Sequence, residues 1–145
     1  RRFNKIFTFN KVDFFDDYAH HPTEIKVVLD GVKSVYNGYE KICIFQPHRI
    51  SRLKDLKKEF THAFKGADKV ILFPIYTAGE KIKLGFSYLN FAKEIIKNSK
   101  VKLFIVDDKF QLAKYIKNNV YGKKIVIGMG AGSISNWMRE LPKLL

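Results

Sequence analysis

From Glu24 onward the apolar positions switch between two spacings. Ile25, Val28, Leu29, Val32, Val35 and Tyr36 recur at the 3.6-residue period of an amphipathic helix. The run "KICIF" that follows is short, continuous and apolar, as a strand buried on both faces should be. Leu53, Leu56, Phe60, Ala63 and Phe64 return to helical spacing, and "KVILFPIY" reads as the next strand. Tyr88, Phe91, Ala92, Ile95 and Ile96 predict a helix, "VKLFIV" a strand, and Leu112, Ala113 and Ile116 a further helix. "KKIVIGMG" predicts a strand and "SISNWMREL" opens a last helix. Ahead of this series, "RRFNKIFTF" and "VDFFDDY" look like two short strands folded into a hairpin around "NK".

Alternation of strands and helices implies right-handed βαβ units. The expected fold is α/β: a three-layer, Rossmann-like, mostly parallel sheet with helices on both faces and a short N-terminal hairpin. At 145 residues, with no repeat or long linker, positions 1–145 are expected to form one domain. Ligands of such sheets bind beyond the carboxyl ends of the strands. The segments expected there are "DDYAHHP", "QPHRISR", "IYTAGE", "VDD" and "GMGAGS".

Composition removes several classes of function. No apolar run approaches the roughly 18 residues that a membrane span needs. "RRFNKIFTFN" lacks the apolar stretch and small-residue cleavage site of a signal peptide. A lone cysteine, Cys43 in "KICIF", has no internal disulfide partner and reads as a small buried strand residue. A cytoplasmic location is expected. The chain opens with Arg rather than Met, which reads as a piece of something longer. Net charge is +13, from 27 basic and 14 acidic residues. Lys54, Lys57, Lys58, Lys93, Lys97, Lys114 and Lys117 lie between apolar residues at helical spacing, the pattern of solvated helix faces. Neither a nucleic-acid nor a membrane partner is expected.

Candidate chemistry sits in the loops. In "FQPHRISR", Arg49 and Arg52 are three apart at the start of a helix and would share a face. Cations there oppose the helix dipole at about 0.3–1 kcal/mol each, which a bound carboxylate or phosphate would offset. Pairing with local acids, or plain solvation, is the alternative. "GMGAGS" could cradle a phosphate, or its glycines could simply allow a tight turn and close packing. It is not the dinucleotide fingerprint, because Ser133 occupies the position of the third glycine. In "DDYAHHP", Asp16, Asp17, His20 and His21 could be drawn as a metal site. Adjacent histidines on an extended segment point apart, however, so no metal is expected. One acid and one histidine are expected to face a ligand, the other two to be structural, with Pro22 or Thr23 helping to start the helix. No GxxxxGK[ST] loop occurs, so a complete P-loop nucleotide site is not in this sequence.

Taken in order and spacing, "DDYAHHPTEI", "FQPHRISR", "YTAGE" and "GAGSISNW" resemble the C-terminal domain of the Mur ligases of bacterial peptidoglycan synthesis, over essentially the whole chain. The "FQPHR" loop favours the alanine-adding branch. The resemblance implies an ATP-dependent ligation with Mg2+. UDP-N-acetylmuramate is activated as an acyl phosphate, and the amine of L-alanine attacks it. It implies further that the P-loop, the Mg2+ sites and the UDP-sugar site belong to other domains of a three-domain enzyme. By the same resemblance Tyr18, His20, Arg49 and Arg52 would surround the incoming alanine, with the arginines on its carboxylate. Asp17 would lie near the ATP ribose and Arg2 would reach the nucleotide phosphates. No residue is singled out as catalytic. The segment between Phe3 and Asp16 is short for the family, and Ile50 stands where an aromatic residue is usual. Two other readings compete: a stand-alone module that binds an anionic nucleotide or metabolite, and a basic RNA-binding domain.

Overall fold

The computed structural model of the chain describes residues 3–81 and 86–145; the expectation placed on Arg2 lies outside them. The hairpin forms where the pattern put it. Strands β1 (Asn4–Phe9) and β2 (Val12–Asp17) pair antiparallel around Asn10 and Lys11. Both turn residues have positive φ, 51° and 63°. That backbone twist matches the twist of paired strands, and asparagine tolerates it better than lysine.

Four more strands follow, β3 (Glu40–Phe45), β4 (Lys69–Leu72), β5 (Lys102–Ile105) and β6 (Lys124–Met129). The sheet order is β1-β2-β6-β3-β4-β5, and every pairing except β1 with β2 is parallel. The fold is therefore the mostly parallel α/β sheet that the alternation predicts.

Side-chain alternation along the strands builds two cores. Phe15, Cys43, Phe45, Val70 and Leu72 pack under α1 (Pro22–Val35), α2 (Ile50–Asp55), α3 (Lys57–His62) and α4 (Tyr88–Ser99). Phe14, Ile42, Ile44, Ile71 and Phe73 pack under α5 (Lys109–Asn119) and α6 (Ile134–Leu144). Each such fully buried Phe, Ile or Leu contributes about 1.5–3 kcal/mol of transfer free energy. Of the seven lysines read as solvated, six are exposed, while Lys57 is half-buried and pairs with Glu94 at 2.8 Å.

Two boundaries differ from the sequence pattern. "KVILFPIY" remains a strand only to Leu72, and the Phe73 N–H makes one more bond to Phe45 O at 2.9 Å. Pro74 has no N–H to continue the ladder. The stripe from Leu53 to Phe64 bends at Leu56, where φ is −117° and ψ 25°, so it forms two helices instead of one. The bend keeps a continuous apolar face, because Leu53, Phe60 and Phe64 remain in the same core.

Candidate functional site

The five parallel strands end on one edge, and the loops leaving β2, β3, β4 and β6 meet there. Consider the β2 loop first. Asp16 is buried and accepts hydrogen bonds from Ser135 Oγ at 2.9 Å and Arg139 Nη1 at 2.5 Å, tying the strand to α6. His21 turns the other way and caps α1: its Nδ1 accepts the Thr23 N–H at 3.3 Å. Glu24 completes the cap by accepting the N–H groups of His20 and His21, both at 3.1 Å. Pro22 occupies the first helical turn, where its missing N–H costs nothing. So Pro22 helps start the helix, as expected, and the side-chain cap is His21. Asp16 and His21 are the structural acid and histidine.

Asp17 ends β2, and His20 stands in the loop that follows. Asp17 is 7% exposed, and its Oδ1 accepts the Ala19 N–H at 2.8 Å. Burial is the first cause that raises its carboxyl pKa above the ordinary value, and the Asp16 charge adds to it. Asp17 lines a cleft of about 560 Å³ with Tyr18, Ala19, Thr23, Glu24, Val27 and Val28. His20 turns toward the β3 loop. Its ring lies 5.0 Å from that of Tyr18 and 6.1 Å from that of His48, and the His48 ring stacks on Tyr76 at 5.4 Å. Four aromatic rings from three loops thus form one row.

The β3 and β4 loops are tied together by their backbones. The Tyr76 N–H bonds Pro47 O and the Arg49 N–H bonds Tyr76 O, each at 2.8 Å. Arg49 precedes α2 with φ 73° and ψ 132°, a backbone setting that costs a non-glycine residue on the order of 1–3 kcal/mol. Arg49 is exposed and Arg52 half-buried. Both bring positive charge to His48. Burial is the first cause lowering the His48 pKa below the ordinary 6.5, followed by Arg52, His20 and Arg49, with Glu80 opposing. The imidazole is therefore neutral at pH 7. Among the described residues, two buried side-chain atoms have no hydrogen-bond partner: His48 Nδ1 and Arg52 Nη1. One belongs to the aromatic row and the other to an arginine whose charge acts on it.

The helix starts behave differently from the sequence expectation. Glu80 Oε1 accepts the N–H groups of Ile50 at 2.7 Å and Ser51 at 3.2 Å, and Oε2 accepts Ser51 Oγ at 2.5 Å. The anion that offsets two arginines at the start of α2 is thus a carboxylate of the "TAGE" loop. At α6, Gln46 Oε1 accepts the Ile134 N–H at 2.9 Å and Gln46 Nε2 donates to Ser133 Oγ at 3.0 Å. The glycines of "GMGAGS" serve close packing. A Cβ on Gly132 would sit 2.5 Å from Tyr76 Cγ, and one on Gly130 2.9 Å from Gln46 O. The "VDD" loop is also structural, since Asp108 Oδ1 accepts the Phe110 and Gln111 N–H groups at 2.9 Å. The "GMGAGS" loop also lines a small pocket, where Gly130, Ala131 and Gly132 face Asp16, Tyr18 and Ser135.

Ring neighbours connect Tyr18, His20 and His48, Arg49 and Arg52 act on His48 by their charge, and Asp17 lines a cleft that Tyr18 shares. Sequence reasoning missed His48, Tyr76 and Glu80 as members, although each stands in a loop it had marked. No group of three or more His, Cys, Asp or Glu side chains among the described residues could hold a metal ion. No helix among them is long and apolar enough to cross a membrane.

These features define a class: an α/β domain with two arginines beside a neutral histidine in the loops at the carboxyl ends of its parallel strands. Residues 1–132 match the family described as "Mur ligase, glutamate ligase domain", and the chain belongs to that family. It is 72% identical, over all 145 residues, to the UDP-N-acetylmuramate–L-alanine ligase of Pelagibacter ubique, and covers 31% of that protein. It is 38% identical over its whole length to the corresponding ligase of Bartonella bacilliformis, covering 30% of it. The crystal structure of the UDP-N-acetylmuramate-alanine ligase MurC from Thermotoga maritima superposes with a TM-score of 0.74 at 27% identity, over 99% of this chain and 29% of that one. The chain thus spans about a third of the length of these relatives. A MurF ligase from Thermotoga maritima with a TM-score of 0.59 and 17% identity, which shares the fold, was crystallised with ADP.

Proposed function

We propose that residues 1–145 are the amino-acid-presenting C-terminal domain of a cytoplasmic, ATP-dependent ligase that joins L-alanine to UDP-N-acetylmuramate. The observation that carries this reading is Arg52 Nη1, buried and unpartnered, on a side chain whose charge, like that of Arg49, acts on the neutral His48. A buried guanidinium N–H without an acceptor is costly, and a carboxylate supplies the acceptor. The relatives named for alanine ligation supply the substrate.

In this reading Arg49 and Arg52 hold the alanine carboxylate, and Tyr18 and His20 flank the amino acid. Keeping His48 neutral avoids a third cation beside the ammonium that must lose a proton before it can attack. Asp17 suits a ribose: one carboxylate oxygen holds Ala19, and the side chain lines the cleft, where it can accept from hydroxyl groups. ATP, when bound with Mg2+, supplies the phosphoryl group that activates the carboxylate of UDP-N-acetylmuramate. The phosphate cradle and the Mg2+ ligands belong to another domain, and Arg2 is assigned to the phosphates on the family resemblance alone.

The test is steady-state phosphate release by the full-length enzyme, with alanine and UDP-N-acetylmuramate varied separately. The Arg49→Ala, Arg52→Ala double variant should lose alanine-dependent turnover. An unchanged alanine KM and kcat would refute the anion clamp.

A further inference from the structure

We infer that Glu80 is a positioning residue that sets the geometry of the Arg49–Arg52 pair; the inference rests on the alanine-clamp reading above. Glu80 lies 28 residues beyond Arg52 in sequence, on a different loop, and touches the first turn of α2 at three points: Ile50 N, Ser51 N and Ser51 Oγ. These contacts follow immediately after Arg49, whose backbone sits at positive φ. A residue in that setting persists only when its surroundings over-determine it. The surroundings here are two: Tyr76 O accepts the Arg49 N–H from one side, and Glu80 grips the next two amides from the other. Tyr76 and Glu80 are four residues apart on one loop, so "YTAGE" acts as a brace on the arginine loop.

The brace also has an electrostatic consequence. Two guanidinium groups at the start of a helix repel its dipole and each other, and with no local anion the arginines would swing toward solvent. Glu80 supplies negative charge at the helix start, on the amides of Ile50 and Ser51. His48 feels that charge, since Glu80 is the one cause that raises its pKa against the others. The carboxylate thus offsets the cluster's positive charge while Arg52 Nη1 stays without a hydrogen-bond partner. A substrate carboxylate then meets arginines already oriented, and less binding energy is lost in ordering them.

The experiment uses the full-length enzyme with Glu80→Ala, Glu80→Gln and Ser51→Ala variants. Glu80→Ala should raise the alanine KM by roughly 10-fold, the scale of one charge-assisted hydrogen bond. The KM values for ATP and UDP-N-acetylmuramate should stay within about 2-fold, because those ligands do not touch this loop. Glu80→Gln keeps an acceptor for the Ile50 and Ser51 amides and should recover part of the loss. Ser51→Ala removes one of the three contacts and should fall between wild type and Glu80→Ala. A uniform loss across all three substrates, tracking a drop in Tm, would mean a merely structural role and overturn the inference, as would unchanged kinetics. A crystal structure of Glu80→Ala separates the two ways of failing. If the wild-type enzyme shows no dependence on alanine, the functional reading falls. An Arg49 backbone displaced from positive φ would then still show Glu80 holding the loop, whereas an unmoved one overturns the inference as well.

Discussion

At the scale of single residues, the crevice is built from groups held against their ordinary preferences. Arg52 has one buried nitrogen without a partner. Restoring that bond with a ligand carboxylate is worth about 1.5–3 kcal/mol, so Arg52→Ala should lower kcat/KM for alanine by roughly 10- to 150-fold. Arg52→Lys should recover only part, since an ammonium cannot form the planar fork. Asp17 gives a prediction in pH. Burial raises its carboxyl above 3.8, so just above that pH the folded chain keeps a proton the unfolded chain has lost. Stability contributed at this site therefore falls as pH rises through the window between 3.8 and the raised value, and the cost persists at neutral pH. Asp17→Asn should raise the Tm of the chain at pH 7, and its advantage should vanish below about pH 3.8, as thermal denaturation across pH would show. The same variant should weaken nucleotide use if Asp17 holds the ribose. A stability gain together with a functional loss would mark a charge kept for binding.

At the scale of elements, the crevice is made by loops that end and start helices at the expense of their own side chains. Gly132 shows how tight this is: a methyl there would meet Tyr76 Cγ at 2.5 Å and Gln46 Oε1 at 2.8 Å. Gly132→Ala should therefore displace Tyr76 from His48, lower Tm, and raise the alanine KM more than the ATP KM, as denaturation and kinetics on one preparation would report. The elements themselves were legible, because their apolar residues repeat at two clean periods and the strands are buried on both faces. Strand β4 was read too long only because Pro74 sits inside an apolar run. That Arg49 and Arg52 stand at the start of a helix was legible too, from their place after a strand; that Arg49 precedes the helix at positive φ instead of sharing its first turn was not. Nor were the pair's surroundings. The anion at the start of α2 comes from Glu80, and the cap of α6 from Gln46, 88 residues before Ile134. A single sequence shows no such long-range partners. His48 was hidden for a related reason: a histidine between a proline and an arginine looks like loop, and its neutrality appears only once burial and Arg52 are placed around it. The divergence of His20 from His21, by contrast, is what side-chain alternation along an extended segment leads one to expect, and His21 is extended at φ −95° and ψ 146°.

At the scale of the whole molecule, two apolar layers on a six-stranded sheet give residues 1–145 the means to fold alone. The buried set includes six phenylalanines at under 2% exposure, among them Phe14, Phe45 and Phe91. A core on each face is what an open parallel sheet requires. Chemistry is a different matter. Asp17 borders a cleft about 560 Å³ in volume that opens to solvent and is lined largely by side chains of α1. No GxxxxGK[ST] loop is present to cradle phosphates. Such a rim alone should bind ATP with a dissociation constant in the millimolar range or weaker, about −4 kcal/mol or less favourable. We therefore expect the purified 145-residue chain to give a cooperative thermal transition, show no alanine-dependent phosphate release, and bind ATP too weakly for calorimetry at micromolar concentrations. Micromolar ATP binding by this chain alone would instead favour a stand-alone nucleotide module. Adding the preceding portion of the ligase in trans is the sharper version of the same measurement. If the crevice is half of a shared site, turnover should reappear only when both parts are present, and it should depend on Arg52 in this part and on alanine in solution.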